Sequence, residues 1–198
     1  MRELLLLALG YLVWIELYGR GLVSAAPPHL MAPATPRADG AVDRIPDKLP
    51  RAIEYAKQAG TPPQDIALVA GFILTESAAN PLAHNTVGED SRGLMQVQVS
   101  TAQGLFDNGA HRFPRDQVGQ LLFDPVIGVK IGYSFIEYLR MRVPAEHRMT
   151  AEDWVIRAYN GGERWHTKGA RVASQTATYA AKVQRNIQAA ETYLQRSA

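Results

Sequence analysis

From residue 63 to residue 78 the apolar positions recur at helical spacing. Ile66, Val69, Ala70, Ile73 and Leu74 give an i, i+3, i+4, i+7, i+8 stripe, which predicts an amphipathic helix opened by Thr61-Pro62-Pro63 and closed ahead of Asn80-Pro81. The same reading continues along the chain. Residues 48–59 form a short helix that stops at Gly60. Residues 80–93, with Asn-Pro, small polar residues and two glycines, are loop or a small irregular ribbon. Ser100-Thr101 begins a helix that fades at Asp107-Asn108-Gly109. Asp124 as N-cap and Pro125 at N1 open a long helix to about Met141. Thr150 and Asp153 resemble a capping box for a helix to Tyr159, and Asn160-Gly161-Gly162 reads as its αL C-cap. A last helix is expected from about Ala177 to Gln195. Sustained β alternation and internal repeats are missing, so the pattern predicts one compact helical domain with at most a small β element.

The first 46 residues break this pattern. Twelve uncharged residues, 4–15, follow Arg2 and lead to Val23-Ser24-Ala25. This reads as a secretory signal, residues 1–25, cleaved after Ala25, and predicts export to the periplasm or cell envelope. An uncleaved inner-membrane anchor over residues 4–23 is the alternative, but it would carry Glu16 and Arg20 into the bilayer. Residues 26–46 are Pro-rich without apolar periodicity and read as a linker. The folded domain is expected over 47–198.

Composition narrows the chemistry. The 198 residues are 46% hydrophobic and 20% charged, as in an ordinary globular protein. A net charge of +2 without a Lys/Arg run does not indicate nucleic acid as a partner. The absence of cysteine excludes disulfides, thiolate metal sites and a Cys nucleophile. The five histidines, at 29, 84, 111, 147 and 166, lack ligand spacing, so neither a metal nor a cofactor is expected.

Three short stretches could carry chemistry. At 100° per residue Glu76 falls on the rim of the apolar stripe, roughly 80–90° from its centre. Half-desolvated there, its carboxyl would have a raised pKa suited to a general acid, although an exposed rim Glu is the plainer reading. Gly93-Leu94-Met95-Gln96 is a turn with two core residues, or a backbone ledge offering peptide groups and the Gln96 amide to a polar ligand. Tyr159-Asn160 is a core residue and a cap, or a pair projecting into a groove with Asn160 as orienter.

Each stretch is ordinary alone. In order and spacing, Glu76-Ser77, Gly93-Leu94-Met95-Gln96, Ala158-Tyr159-Asn160-Gly161 and Thr176-Ala177-Thr178-Tyr179 with Val183 resemble the catalytic domain of the soluble lytic transglycosylases, relatives of goose-type lysozyme. The resemblance covers about residues 47–195 and extends to the Asp124-Pro125 helix. Gly128 stands where the family usually has Asn, Ala180 where a Val is common, and the 87–93 loop is unusually charged.

The resemblance implies a mainly α, lysozyme-like fold of the α+β superfamily with a saccharide-binding groove. It implies cleavage of the β-1,4 bond between N-acetylmuramic acid and N-acetylglucosamine without water, leaving 1,6-anhydromuramyl ends. Glu76 would be the catalytic residue, acid and then base. Ser77, Gly93, Leu94, Met95, Gln96, Tyr159, Asn160 and Tyr179 would bind substrate. Peptidoglycan strands are the expected partner of a monomer, with a secretion or conjugation machine as a further partner to consider. Two alternatives stay open: a goose-type hydrolase, for which Glu89 and Asp90 are candidate water-placing carboxylates, and a non-catalytic wall-binding subunit.

Overall fold

The structure is a computed structural model that describes residues 45–87, 89–107, 114–145 and 149–197. The expected signal or anchor and the linker up to residue 44 lie outside the described residues. Seven helices are described: α1 Ile45–Gln58, α2 Ile66–Ser77, α3 Val99–Asp107, α4 Arg115–Leu121, α5 Pro125–Arg140, α6 Ala151–Gly161 and α7 Ala170–Ser197. Between α2 and α3 lies an antiparallel sheet of three two-residue strands, β1 His84–Asn85, β2 Ser91–Arg92 and β3 Val97–Gln98. The fold is the expected mainly α one; β1 and β2 fall in the 80–93 loop where a ribbon is expected, and β3 lies beyond it, directly ahead of α3.

The sheet is tied by register and by its turn. His84 pairs with Arg92 and Asn85 with Ser91, while Ser91 pairs with Gln98 and Arg92 with Val97. Gly93–Gln96 closes the β2–β3 hairpin, with Gln96 N donating to Gly93 O at 3.2 Å. Gly93 has φ 75°, and a Cβ there would stand 1.8 Å from the carbonyl oxygen of Leu122. Only glycine fits that turn against the chain ahead of α5.

Helix α2 differs from its predicted stripe. Every residue from Ala67 to Ile73 is buried, on all faces, so α2 is a central helix enclosed by others. Helix α7 packs against it closely enough that a Cβ on Gly71 would lie 2.5 Å from Ile187 Cγ1. The helix also stops earlier than the Asn-Pro signal. Its C-cap is Ala78 in the left-handed region, and Ala79 follows with φ 62°.

Elsewhere the two N-caps work as read and the ends move. Asp124 accepts from Val126 N and Ile127 N at 2.9 Å each, and Thr150 Oγ1 accepts from Asp153 N at 3.2 Å. The expected αL cap at 160–162 is not formed. Asn160 and Gly161 complete the last turn of α6, and Gly162 caps it with φ 77° and ψ 164°, outside the αL region. Helix α7 starts seven residues before the expected Ala177, and α4 was not anticipated. Gly128 follows from packing. A Cβ there would meet Leu122 O at 2.5 Å, leaving no room for a side chain without a shift of that turn.

The N-terminal end of α2 is anchored by charge. Buried Asp65 accepts from Tyr133 Oη at 2.8 Å and from Arg140 Nη2 at 2.7 Å on α5, and the guanidinium holds its pKa below the usual carboxylate value. The central helix is thereby fixed at both ends, at one by this pair and at the other by the hairpin.

Candidate active site

Glu76 sits in the last turn of α2, where the central helix emerges from the core. It is half-buried, and burial of the carboxyl raises its pKa from 4.5 to about 7. The opposing influences are smaller. The Tyr179 hydroxyl donates to Glu76 Oε1, and the Lys182 ammonium lies near enough to favour the carboxylate. Both partners come from α7, one turn apart, and Lys182 Nζ also donates to Thr75 O at 3.0 Å. Among the described residues the Tyr179 contact is the one hydrogen bond the carboxyl makes, which leaves Oε2 for a ligand.

A cavity of about 660 Å³ opens beside this carboxyl. Of the predicted site residues, Glu76, Gln96, Tyr159 and Asn160 line it. Tyr179 touches the site through Glu76. Tyr159 and Tyr179 have phenol pKa values pushed well above 10, first by burial and then by the Glu76 charge, so both hydroxyls remain proton donors.

The other predicted residues stand behind the cavity wall. Ser77 Oγ donates to Leu94 O at 2.8 Å, and Tyr159 Oη donates to Met95 O at 2.8 Å. The Leu94 and Met95 side chains are each 1% exposed and belong to the core. Gly93 supplies the turn. These contacts pin the hairpin against the end of α2, so their part is to fix the ledge beside Glu76. Gln96, at φ 46°, spends its amide nitrogen on Ala83 O and Gly93 O at 2.9 Å each. Its amide oxygen is the atom it can offer a ligand.

Sequence reasoning missed several wall residues. Asn85, Ser91, Gln98 and Thr101 line the cavity from the sheet and α3, Phe135 from α5, and Lys168 from beyond α6. The Phe135 ring packs against Tyr159 at 5.1 Å and tilted by 52°, and Phe72 packs against Tyr159 at 4.6 Å and tilted by 47°, which sets the phenol's direction. Local spacing gives no sign of these residues, because the wall is assembled from elements far apart in the sequence.

The two loop carboxylates part company. Asp90 is engaged by Arg92 Nε at 2.7 Å and His84 Nε2 at 2.9 Å, and the guanidinium lowers its pKa. Glu89 lines the cavity and accepts from the Gln98 amide. His166 lies in the 3₁₀ turn Trp165–Thr167, edge-on to Trp165.

An acid of raised pKa on a cleft between a buried helix and a small sheet is a lysozyme-like arrangement. The family model described as the transglycosylase SLT domain matches residues 51–182, about two thirds of the chain. The chain belongs to the transglycosylase SLT family. The matched span runs from α1 into α7 and includes Glu76, the hairpin, Asn160 and Tyr179. As an SLT-domain protein it has lytic-transglycosylase-type activity on peptidoglycan. A search of curated proteins gave no match.

Proposed function

We propose that this SLT domain cleaves the N-acetylmuramic acid–β-1,4–N-acetylglucosamine bond non-hydrolytically, with Glu76 as acid and then base. One observation carries the reading: the carboxyl lining the cavity is buried enough to hold its proton close to neutral pH. Protonated Glu76 gives its proton to the glycosidic oxygen as the bond from the muramyl C1 breaks. The substrate's N-acetyl group stabilises the oxocarbenium-like centre. The Glu76 carboxylate then takes the proton of the muramyl 6-hydroxyl, and O6 bonds to C1 to close the 1,6-anhydro ring. The nucleophile is already tethered, so a second catalytic carboxylate is unnecessary: intramolecular attack reaches effective molarities of about 10⁵–10⁸ M. Tyr179 steadies Glu76, and Asn160 on the opposite wall binds the sugar. The activity is exercised outside the cytoplasm, where the wall lies and where residues 1–25 would direct the chain.

Glu89 favours a second reading, because a carboxylate on the same cavity could place a water and make the enzyme a hydrolase. Mass spectrometry of the fragments released from purified sacculi separates the two. Anhydro ends, formed equally by Glu89→Gln, support the transglycosylase. Reducing ends that vanish in Glu89→Gln support the hydrolase.

A further inference from the structure

The cavity beside Glu76 has a neighbour. Lys168 lines it and also lines a second cavity, of about 430 Å³, with Glu163 and Arg164. The chain leaves α6 at Gly162 with φ 77° and makes a 3₁₀ turn anchored by buried Trp165. This folds Lys168 back so that its Nζ donates to Gly161 O at 2.6 Å, at the end of α6 and one residue from Asn160. A Cβ on Gly162 would lie 3.3 Å from that ammonium, so a glycine there gives Lys168 its room. One N–H is used and two remain.

Charge in the second cavity favours an anion. Its one carboxylate, Glu163, accepts from Tyr138 Oη at 2.8 Å and faces Arg142 at 3.7 Å, which offsets its charge. Arg164 is exposed and has no carboxylate partner among the described residues. Lys168 and Arg164 are therefore the uncompensated charges of this side cavity.

The sugars of a peptide-bearing glycan strand are neutral. Its carboxylates are on the peptide carried by the muramyl lactyl group. We infer that Lys168 and Arg164 form a carboxylate-binding side site that takes the peptide stem of the muramyl residue held beside Glu76. The inference rests on the proposed function and extends it from the glycan to the peptide. The two cations set how strongly the enzyme prefers peptide-substituted strands.

The test compares soluble uncrosslinked strands that carry peptides with strands stripped of peptide by an amidase and then amidated at the freed lactyl carboxyl, scoring 1,6-anhydro ends. The double variant Lys168→Ala with Arg164→Ala should lower the ratio of kcat/KM on peptide-bearing to stripped strands by roughly three- to tenfold, mainly through KM. Lys168→Arg, which keeps the cation, should retain the wild-type ratio. An unchanged ratio in the double variant, or an equal fall on both substrates with a lowered melting temperature, overturns the side site. A wild-type protein that forms no anhydro ends from either substrate would instead overturn the proposed function, and this inference with it.

Discussion

A carboxyl at the C-terminal end of a buried helix is disfavoured as an anion twice, by desolvation and by the negative end of the helix dipole. Tyr179 and Lys182 offset part of this and leave Glu76 near pKa 7. The shift has a sign for stability. Below pH 4.5 folded and unfolded chains both hold the proton. Between pH 4.5 and about 7 the folded chain holds more protons, so stability falls as pH rises, and it levels off above 7. At about 1.36 kcal/mol per pH unit the loss has a ceiling on the order of 3 kcal/mol. Glu76→Gln removes the penalty. The variant should melt close to wild type at pH 4.5 and measurably higher at pH 8, by differential scanning calorimetry. A gap that does not widen with pH would show that the carboxyl is not desolvated. Catalysis has the same origin: kcat/KM should decline above about pH 7, as the acid loses its proton. Lys182→Met should move that limb upward by about a few tenths of a pH unit, since the lost cation favoured the carboxylate.

At the scale of elements, the site depends on how the β2–β3 hairpin is held against α2. Gly93→Ala would combine a left-handed φ with a Cβ 1.8 Å from Leu122 O, and should cost about 3 kcal/mol or more in chemical denaturation. A loss below about 1 kcal/mol would mean that the turn is not so constrained. Ala78→Gly should have the opposite effect, since Ala78 ends α2 at φ 52° and is exposed. Relief of about 1–2 kcal/mol of left-handed strain, less the entropy cost of glycine, leaves a gain of about 0.5 kcal/mol. The same elements explain what the sequence made legible. Asp124-Pro125 and Thr150 announce their helices because capping is local chemistry. Ala78 does not announce the end of α2, because tertiary packing, not a glycine, forces that cap. The αL reading of Asn160-Gly161-Gly162 was wrong for a similar reason. Gly161 stays helical with Trp165 and Thr176 packed against its missing side chain, and the reversal moves to Gly162. Glu76, Tyr159, Asn160 and Tyr179 were legible through a family pattern. Phe135, Thr101 and Lys168 were not, since only the folded chain brings them to one cavity.

At the scale of the molecule, a single core among the described residues joins all seven helices. Ala52, Ile53 and Ala56 of α1 are buried in it, so α1 is part of the folded unit. A fragment of residues 45–197 should therefore fold alone and keep both the melting transition and the activity of one starting at 26. A fragment starting at 60, without α1, should lose both. Equal melting of the two shorter fragments would show that α1 is dispensable. The most direct test of the account is turnover by Glu76→Gln on purified sacculi, read as released anhydromuropeptides beside a melting curve and a pelleting assay. The amide keeps the side chain's shape and can still accept from Tyr179, but it can neither give nor take the proton. Release should fall by about 10²–10⁴-fold or more, while folding and binding to sacculi persist. Release at a rate close to wild type, from a variant that folds and binds, would contradict the assignment of Glu76 and the mechanism built on it.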